Sequence, residues 1–286
     1  MLILLNRIGY ASGMSLTMIR IACLGLLAGL LLSAVGCSIG HKTNPSFDVG
    51  VEEAWAALEE MAAYPKRPQR PVLITGGWRG SDLDRIRTYR LSAKALGEEN
   101  LIVVTYGGID TMSDARTRTI QRVLESAGPA DSHGYTPKVD VIGISMGGTV
   151  ARDAACPPRG QGIDDPHRLK IDTFYGISVP HRGLRLGVLG FYDSMAREMF
   201  SNSETIGRIE ACFEPGAYRI EDYGRLGDPW VGVENATVPG HYIRWLPNTT
   251  FGDAHLGFLD PRIVADIVKR IRGEEPFTTD PPAPIP

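Results

Sequence analysis

Apolar positions along the chain follow two alternating rhythms. Short, near-continuous apolar runs occupy 71–75, 101–106, 139–142 and 171–175, with two more at 217–220 and 241–245. Around them lie stretches of helical period. In 51–63, Val51, Ala54, Trp55, Leu58 and either Met61 or Ala62 share one face; 81–96, 113–126 and 147–155 follow, and 261–271 closes as an amphipathic helix. Runs without polar alternation suit strands buried on both faces, and their alternation with helices predicts a mostly parallel sheet covered on both sides. The expectation is an α/β fold in one domain over residues 50–273, with no internal repeat and no break that demands a second domain.

The segment 183–213 fits neither rhythm. It carries Leu184, Leu186, Val188, Leu189, Phe191 and Tyr192, then Met195, Met199, Phe200 and Ile206, among polar residues. Two readings stay open: a lid that touches substrate, or one or two helices that cover the sheet.

The ends of the chain differ from this body. From Ile21 to Gly36 no charge occurs, and Arg20 precedes the run. A short apolar core behind a positive residue is the pattern of a secretory signal, and it is short for a stable membrane span. Residues 1–36 are therefore read as a signal peptide and 37–49 as a flexible tether. The run ends Ala34-Val35-Gly36-Cys37, which resembles a bacterial lipobox; the resemblance implies a diacylated Cys37 as the mature N-terminus and a membrane anchor. Ala34 stands where that motif most often has Leu, and Ala-x-Gly also suits ordinary signal peptidase, so simple secretion stays open beside lipidation. Ser38, where inner-membrane retention would want Asp, favours an outer-membrane lipoprotein or a periplasmic or secreted protein. Residues 274–286, rich in proline, are expected to be disordered.

Composition adds little and excludes some classes. A chain 43% hydrophobic and 22% charged reads as globular. The net charge of -3 comes with no basic stripe, which argues against nucleic acid as a partner. No His/Cys/Asp cluster has metal-ligand spacing and no glycine loop completes a nucleotide fingerprint, so no metal and no cofactor are expected. Cys156 and Cys212 are an even pair in the mature chain; a disulfide and two free buried thiols are both compatible with the sequence.

The chemistry concentrates at Gly143-Ile144-Ser145-Met146-Gly147, where the 139–142 run meets a helix. A serine on a sharp strand-to-helix turn is forced into a strained conformation that pushes its hydroxyl outward, and the flanking glycines leave room for the neighbouring backbone. The stretch from Val139 to Arg152 and a second one, Ser178-Val-Pro-His-Arg-Gly183, together resemble the α/β-hydrolase superfamily and, within it, bacterial lipases and esterases. The resemblance spans 71–272. It implies Ser145 as nucleophile, the Met146 N–H as one donor of an oxyanion hole, and the Trp78 N–H after the first strand as the other. Gly76 replaces the histidine that lipases often carry in that loop.

A histidine must serve as base. His41 lies in the tether, His133 and His167 in polar loops, and His241 at the start of a run. His181 belongs to the lipase-like segment, where its usual role is structural. His255, after the last strand and before the last helix, stands where the family's Ser–acid–His order puts the base. Asp228, in a Gly/Pro-bounded turn, is the candidate acid. A turn-capping role is its plainer reading, Asp222 is the nearest competitor, and Asp253 is too close to His255 in sequence. The implied activity is a Ser-His-Asp carboxylic ester hydrolase acting on a small ester or lipid. An amidase or thioesterase with the same machinery, and a non-catalytic envelope lipoprotein that keeps the fold as a binding scaffold, remain as alternatives.

Overall fold

Six strands, all paired in parallel, form one sheet in the order β2-β1-β3-β4-β5-β6. The computed structural model describes residues 42–77, 82–185, 193–247, 255 and 257–286, and the side chains of all of these except 82–87. The strands are β1 (Val72–Thr75), β2 (Leu101–Val104), β3 (Val139–Ile144), β4 (Ile171–Ile177), β5 (Arg219–Arg225) and β6 (Ile243–Leu246). The helices are α1 (Val51–Ala63), α2 (Asp82–Leu96), α3 (Met112–Ala127), α4 (Met146–Ala155), α5 (Ser194–Glu198), α6 (Glu204–Cys212) and α7 (Pro261–Arg272).

Parallel neighbours need crossover connections, and these place helices on both faces. One face packs Met112 and Ile120 of α3, Val150 and Ala154 of α4, and Met195 beside α5's other buried residue, Ala196, against Leu73, Val141 and Phe174. The other packs Ala54 and Leu58 of α1, Leu96 of α2, and Val264 and Val268 of α7 against Ile74, Ile142 and Tyr175. β1 and β3 are buried at every position because both faces are covered, which is why they read as near-continuous apolar runs, interrupted in β3 only by the buried Asp140. The chain builds β2 on one side of β1 and everything later on the other. The order therefore reverses between β1 and β3, and the crevice at the carboxyl ends of these strands is where such sheets bind ligands.

Both ends of the expected domain need correction. Residues 43–286 form one compact unit. In the segment expected to be a tether, Phe47 and Val49 are buried in the α1–α7 layer, and Asn44 donates its side-chain amide to the Trp245 carbonyl at 2.7 Å. The tail expected to be disordered is bonded into the fold. Thr278 donates its N–H and its hydroxyl to Asp266 of α7, each at 2.8 Å; Asp280 pairs with Arg244 of β6; and Trp245 donates Nε1–H to the Ala283 carbonyl at 3.0 Å. Its composition cannot form a core, but the buried carboxylate of Asp266 needs donors, and the tail supplies them. The signal peptide, Cys37 and the start of the tether lie outside the described residues.

In 183–213, Met195, Ala196 and Met199 enter the core and Ile206 and Ile209 are buried, so the described part covers the sheet. Residues 186–192 lie outside the described residues. Cys156 at the end of α4 and Cys212 at the end of α6 form a disulfide with Cα atoms 5.7 Å apart. It fastens this covering segment to the helix that begins beside Ser145.

Candidate active site

Ser145 is the single residue between β3 and α4. Its φ of 49° and ψ of -127° lie where side chains other than glycine rarely go. The bend is fixed on both sides: the Ser145 N–H donates to the Ile177 carbonyl of β4 at 2.9 Å, and its carbonyl accepts the Gly148 N–H at 3.0 Å. A Cβ on Gly143 would lie 2.6 Å from the Gly148 Cα, and one on Gly147 would collide with the Gly76 carbonyl oxygen after β1. These two positions need glycine because α4 starts in contact with the sheet.

A serine in this N-cap position ordinarily turns its hydroxyl onto the first helical N–H groups. Ser145 makes no such cap bond. Its Oγ lies instead 3.0 Å from Nε2 of His255. The other ring nitrogen, Nδ1, lies 2.9 Å from Oδ2 of Asp228. An ionised carboxylate only accepts, so Nδ1 carries the proton and Nε2 is left to accept from the serine. Ser145, His255 and Asp228 thus come together from three separate loops.

Asp228 makes two kinds of contact. Oδ1 accepts the N–H groups of Trp230 and Val231 at 2.9 and 3.1 Å, capping the turn, while Oδ2 faces the imidazole. The turn therefore holds the carboxylate by contacts that do not involve the histidine.

A brace that sequence reasoning missed joins the two loops. Asp260 caps α7 through the Arg262 N–H at 3.0 Å and lies 2.5 Å from the guanidinium of Arg225 at the end of β5. Burial works against the charge of Asp260, but Arg262 and Arg225 hold its carboxyl below the usual range. Arg225 leads into the Asp228 turn and Asp260 follows the 3-10 turn Gly257–Leu259 beside His255, so the ion pair ties the Asp228 loop to the His255 loop. Thr88 adds a tie, donating to the Phe258 carbonyl at 2.9 Å. Asp before Pro is a local capping signal that the sequence reading passed over, and the pairing of Asp260 with Arg225 across 35 residues had no local signal at all.

Of the other histidines, His167 bonds Asp165 at 2.8 Å, and His241 stacks edge-on to Phe213. His181 is buried, with Nε2 2.8 Å from Asp222 Oδ1 and Nδ1 2.9 Å from Nη1 of Arg152. Asp222, the rival acid, therefore serves His181 and not His255. Burial pushes the His181 pKa down, against the pull of Asp222. As the first residue of α4, Met146 has an N–H without an intrahelical acceptor, and it stands directly after Ser145. Trp78, the expected second donor, and Asp253 lie outside the described residues.

No protein-family model matches the chain, and no curated protein does. Among solved structures, the chain is similar to the mature form of the Bacillus licheniformis lipase BlEst2, with 11% identity over 73% of this chain and 94% of that one and a TM-score of 0.52. The propeptide form of the same lipase follows at 12% identity, 77% of this chain, 54% of that one and a TM-score of 0.47. Phospholipase PlaB from Legionella pneumophila matches at 10% identity, 72% of this chain, 61% of that one and a TM-score of 0.47. At 11% identity the likeness to mature BlEst2 speaks for architecture alone, and with the doubly covered parallel sheet it shows that the chain has the α/β-hydrolase fold.

Proposed function

We propose that the protein is a serine hydrolase that cleaves carboxylic esters through an acyl-enzyme intermediate. The observation that carries this reading is the run of two contacts, Ser145 Oγ to His255 Nε2 at 3.0 Å and His255 Nδ1 to Asp228 Oδ2 at 2.9 Å. Nε2 takes the serine proton as Oγ attacks the acyl carbonyl. Asp228 stabilises the imidazolium that forms, and Nε2 returns the proton to the leaving alcohol. Water then repeats the cycle on the acyl-enzyme. The carbonyl oxygen becomes anionic at the start of α4, where the Met146 N–H and the positive end of the helix favour negative charge. Trp78 is proposed as the second donor of that hole.

The lipase BlEst2, with the same fold, supports an ester or lipid as substrate. The apolar run before Cys37 and the Cys156–Cys212 disulfide support an extracytoplasmic site of action, with Cys37 as the proposed lipid anchor. Labelling with a fluorophosphonate tests the chemistry. The wild type should react and Ser145→Ala should not; an unreactive wild type, or equal labelling of both, would overturn the reading. A p-nitrophenyl ester series from acetyl to palmitoyl then measures the preferred acyl length.

A further inference from the structure

Ser145 and its partners stand at the carboxyl ends of the strands. At the opposite edge, in front of the amino ends of β4 and β5, lies a cavity of about 290 Å³ that the proposed reaction leaves unused. Its walls include Lys170 just before β4, Ala217 and Tyr218 just before β5, Arg152 from α4 and Phe213 after α6. The volume sits at the lower end of the range for small-molecule sites, about 300–1,000 Å³.

Two features give this cavity a chemical preference. Three cations, Arg152, Arg168 and Lys170, line it against one acid, Glu214. Each cation lies near an aromatic ring of the same wall: Arg168 is 4.9 Å and Lys170 5.7 Å from the centre of Tyr135, and Arg152 is 5.4 Å from that of Phe213. The walls are therefore apolar and positive at once. Arg152 carries the argument further. It is 2% exposed, and among the described residues no carboxylate lies within ion-pair distance of it. It spends Nη1–H on the neutral ring of His181 and bonds Tyr218, while its Nε–H is buried with no acceptor. Buried guanidinium groups are normally paired, and what is missing here is an anion with a free lone pair.

We propose that this cavity binds a small amphipathic carboxylate. Its head would lie against the guanidinium charge of Arg152, which no carboxylate of the described residues neutralises, with Arg168 and Lys170 beside it. Its apolar body would lie against Ile209, Phe213 and Tyr218. Such a molecule satisfies both the charge and the ring surface, which neither inorganic phosphate nor a neutral alcohol does.

Isothermal titration with octanoate, and with octan-1-ol as the uncharged analogue, tests the site. Octanoate should bind saturably to one site, and octanol should bind at least about tenfold more weakly, as the loss of a charge-assisted contact demands. Lys170→Gln changes an exposed side chain and should weaken octanoate several-fold. Ala217→Trp fills the cavity from an exposed position and should abolish binding while the Tm stays within a few degrees of wild type. Absence of saturable binding, equal affinity for acid and alcohol, or undiminished binding in Ala217→Trp would overturn the proposal. The last result would put octanoate elsewhere, such as beside Ser145.

Discussion

The molecule holds two imidazole–carboxylate pairs with nearly the same geometry, His255–Asp228 at 2.9 Å and His181–Asp222 at 2.8 Å. They differ in which nitrogen meets the acid and in what the other nitrogen is left to do. His255 gives Nδ1 to Asp228 and turns Nε2 to Ser145. His181 gives Nε2 to Asp222, and Nδ1 accepts from Arg152, a group that only donates. Both nitrogens of His181 are committed to the interior. A histidine paired with an aspartate is thus a structural element or a candidate base according to whether its second nitrogen is spent. The resemblance assigned these roles by position in the chain, and the hydrogen bonds supply the physical ground for the division.

The largest expected contrast is in turnover. Ser145→Ala or His255→Ala should lower kcat for p-nitrophenyl butyrate on the order of 10⁵–10⁶-fold, since members of such a unit cost about as much singly as together. Retention of a tenth of the activity by either would remove the basis for setting His255 apart from His181.

Asp228 sharpens the contrast because its two oxygens do different things. Asp228→Asn keeps an acceptor for the Trp230 and Val231 N–H groups but offers an amide to Nδ1, favouring the wrong tautomer. Activity should fall about 10⁴-fold with little change in Tm. Asp228→Ala loses the turn cap as well and should also cost about 1 kcal/mol of stability or more by chemical denaturation. If Asn and Ala behave alike in both assays, the turn-capping role and the proposed catalytic one are not separable.

These contrasts bear on what the sequence could reveal. β1 and β3 were legible because strands covered on both faces are mostly apolar, with Asp140 the one charged residue in them. β5 was read as 217–220 yet runs Arg219–Arg225. Glu221, Asp222 and Arg225 disguised it, and each is satisfied by a distant partner: Arg244, His181 and Asp260. A local pattern registers their polarity but not their partners. The tail was misjudged for the same reason, since Thr278 and Asp280 are held by Asp266 and Arg244. Ser145 was legible because its constraint is local, a hydroxyl between glycines at a strand end. The meeting of Asp228 with His255 is a property of the folded sheet, and chain order in a resembling family was the signal that reached it.

His181→Leu should act on stability where His255→Ala acts on turnover. It strips Asp222 of its donor inside the core, and a buried charge that loses its partner costs about 3–5 kcal/mol. Guanidinium denaturation should show that loss, while kcat per fluorophosphonate-titrated site stays near wild type. A fall in kcat with unchanged stability would mean that the buried pair takes part in the chemistry. Replacing both Cys156 and Cys212 by serine should cost roughly 2–4 kcal/mol, for the bridge closes a long loop between α4 and α6.

The smallest effect separates the pairs by pH. Burial keeps His181 neutral, so its folded pKa lies below the ordinary value near 6.5. The unfolded chain then takes up the proton first as pH falls. The stability due to the neutral ring is complete above about pH 6.5 and is lost as pH drops through that value toward the folded pKa, with a slope of at most about 1.4 kcal/mol per pH unit. Of the charged and titratable groups that act on the ring, Asp222 pulls its pKa up, while Arg152 and His241 push it down with burial. His181→Gln offers the same acceptor to Arg152 and the same donor to Asp222 without a titrating group. Stability measured by denaturant between pH 7 and 5 should therefore decline less steeply in His181→Gln than in the wild type. Parallel curves would show that the ring is not held neutral, and the distinction between a spent and an available imidazole would then need another physical basis.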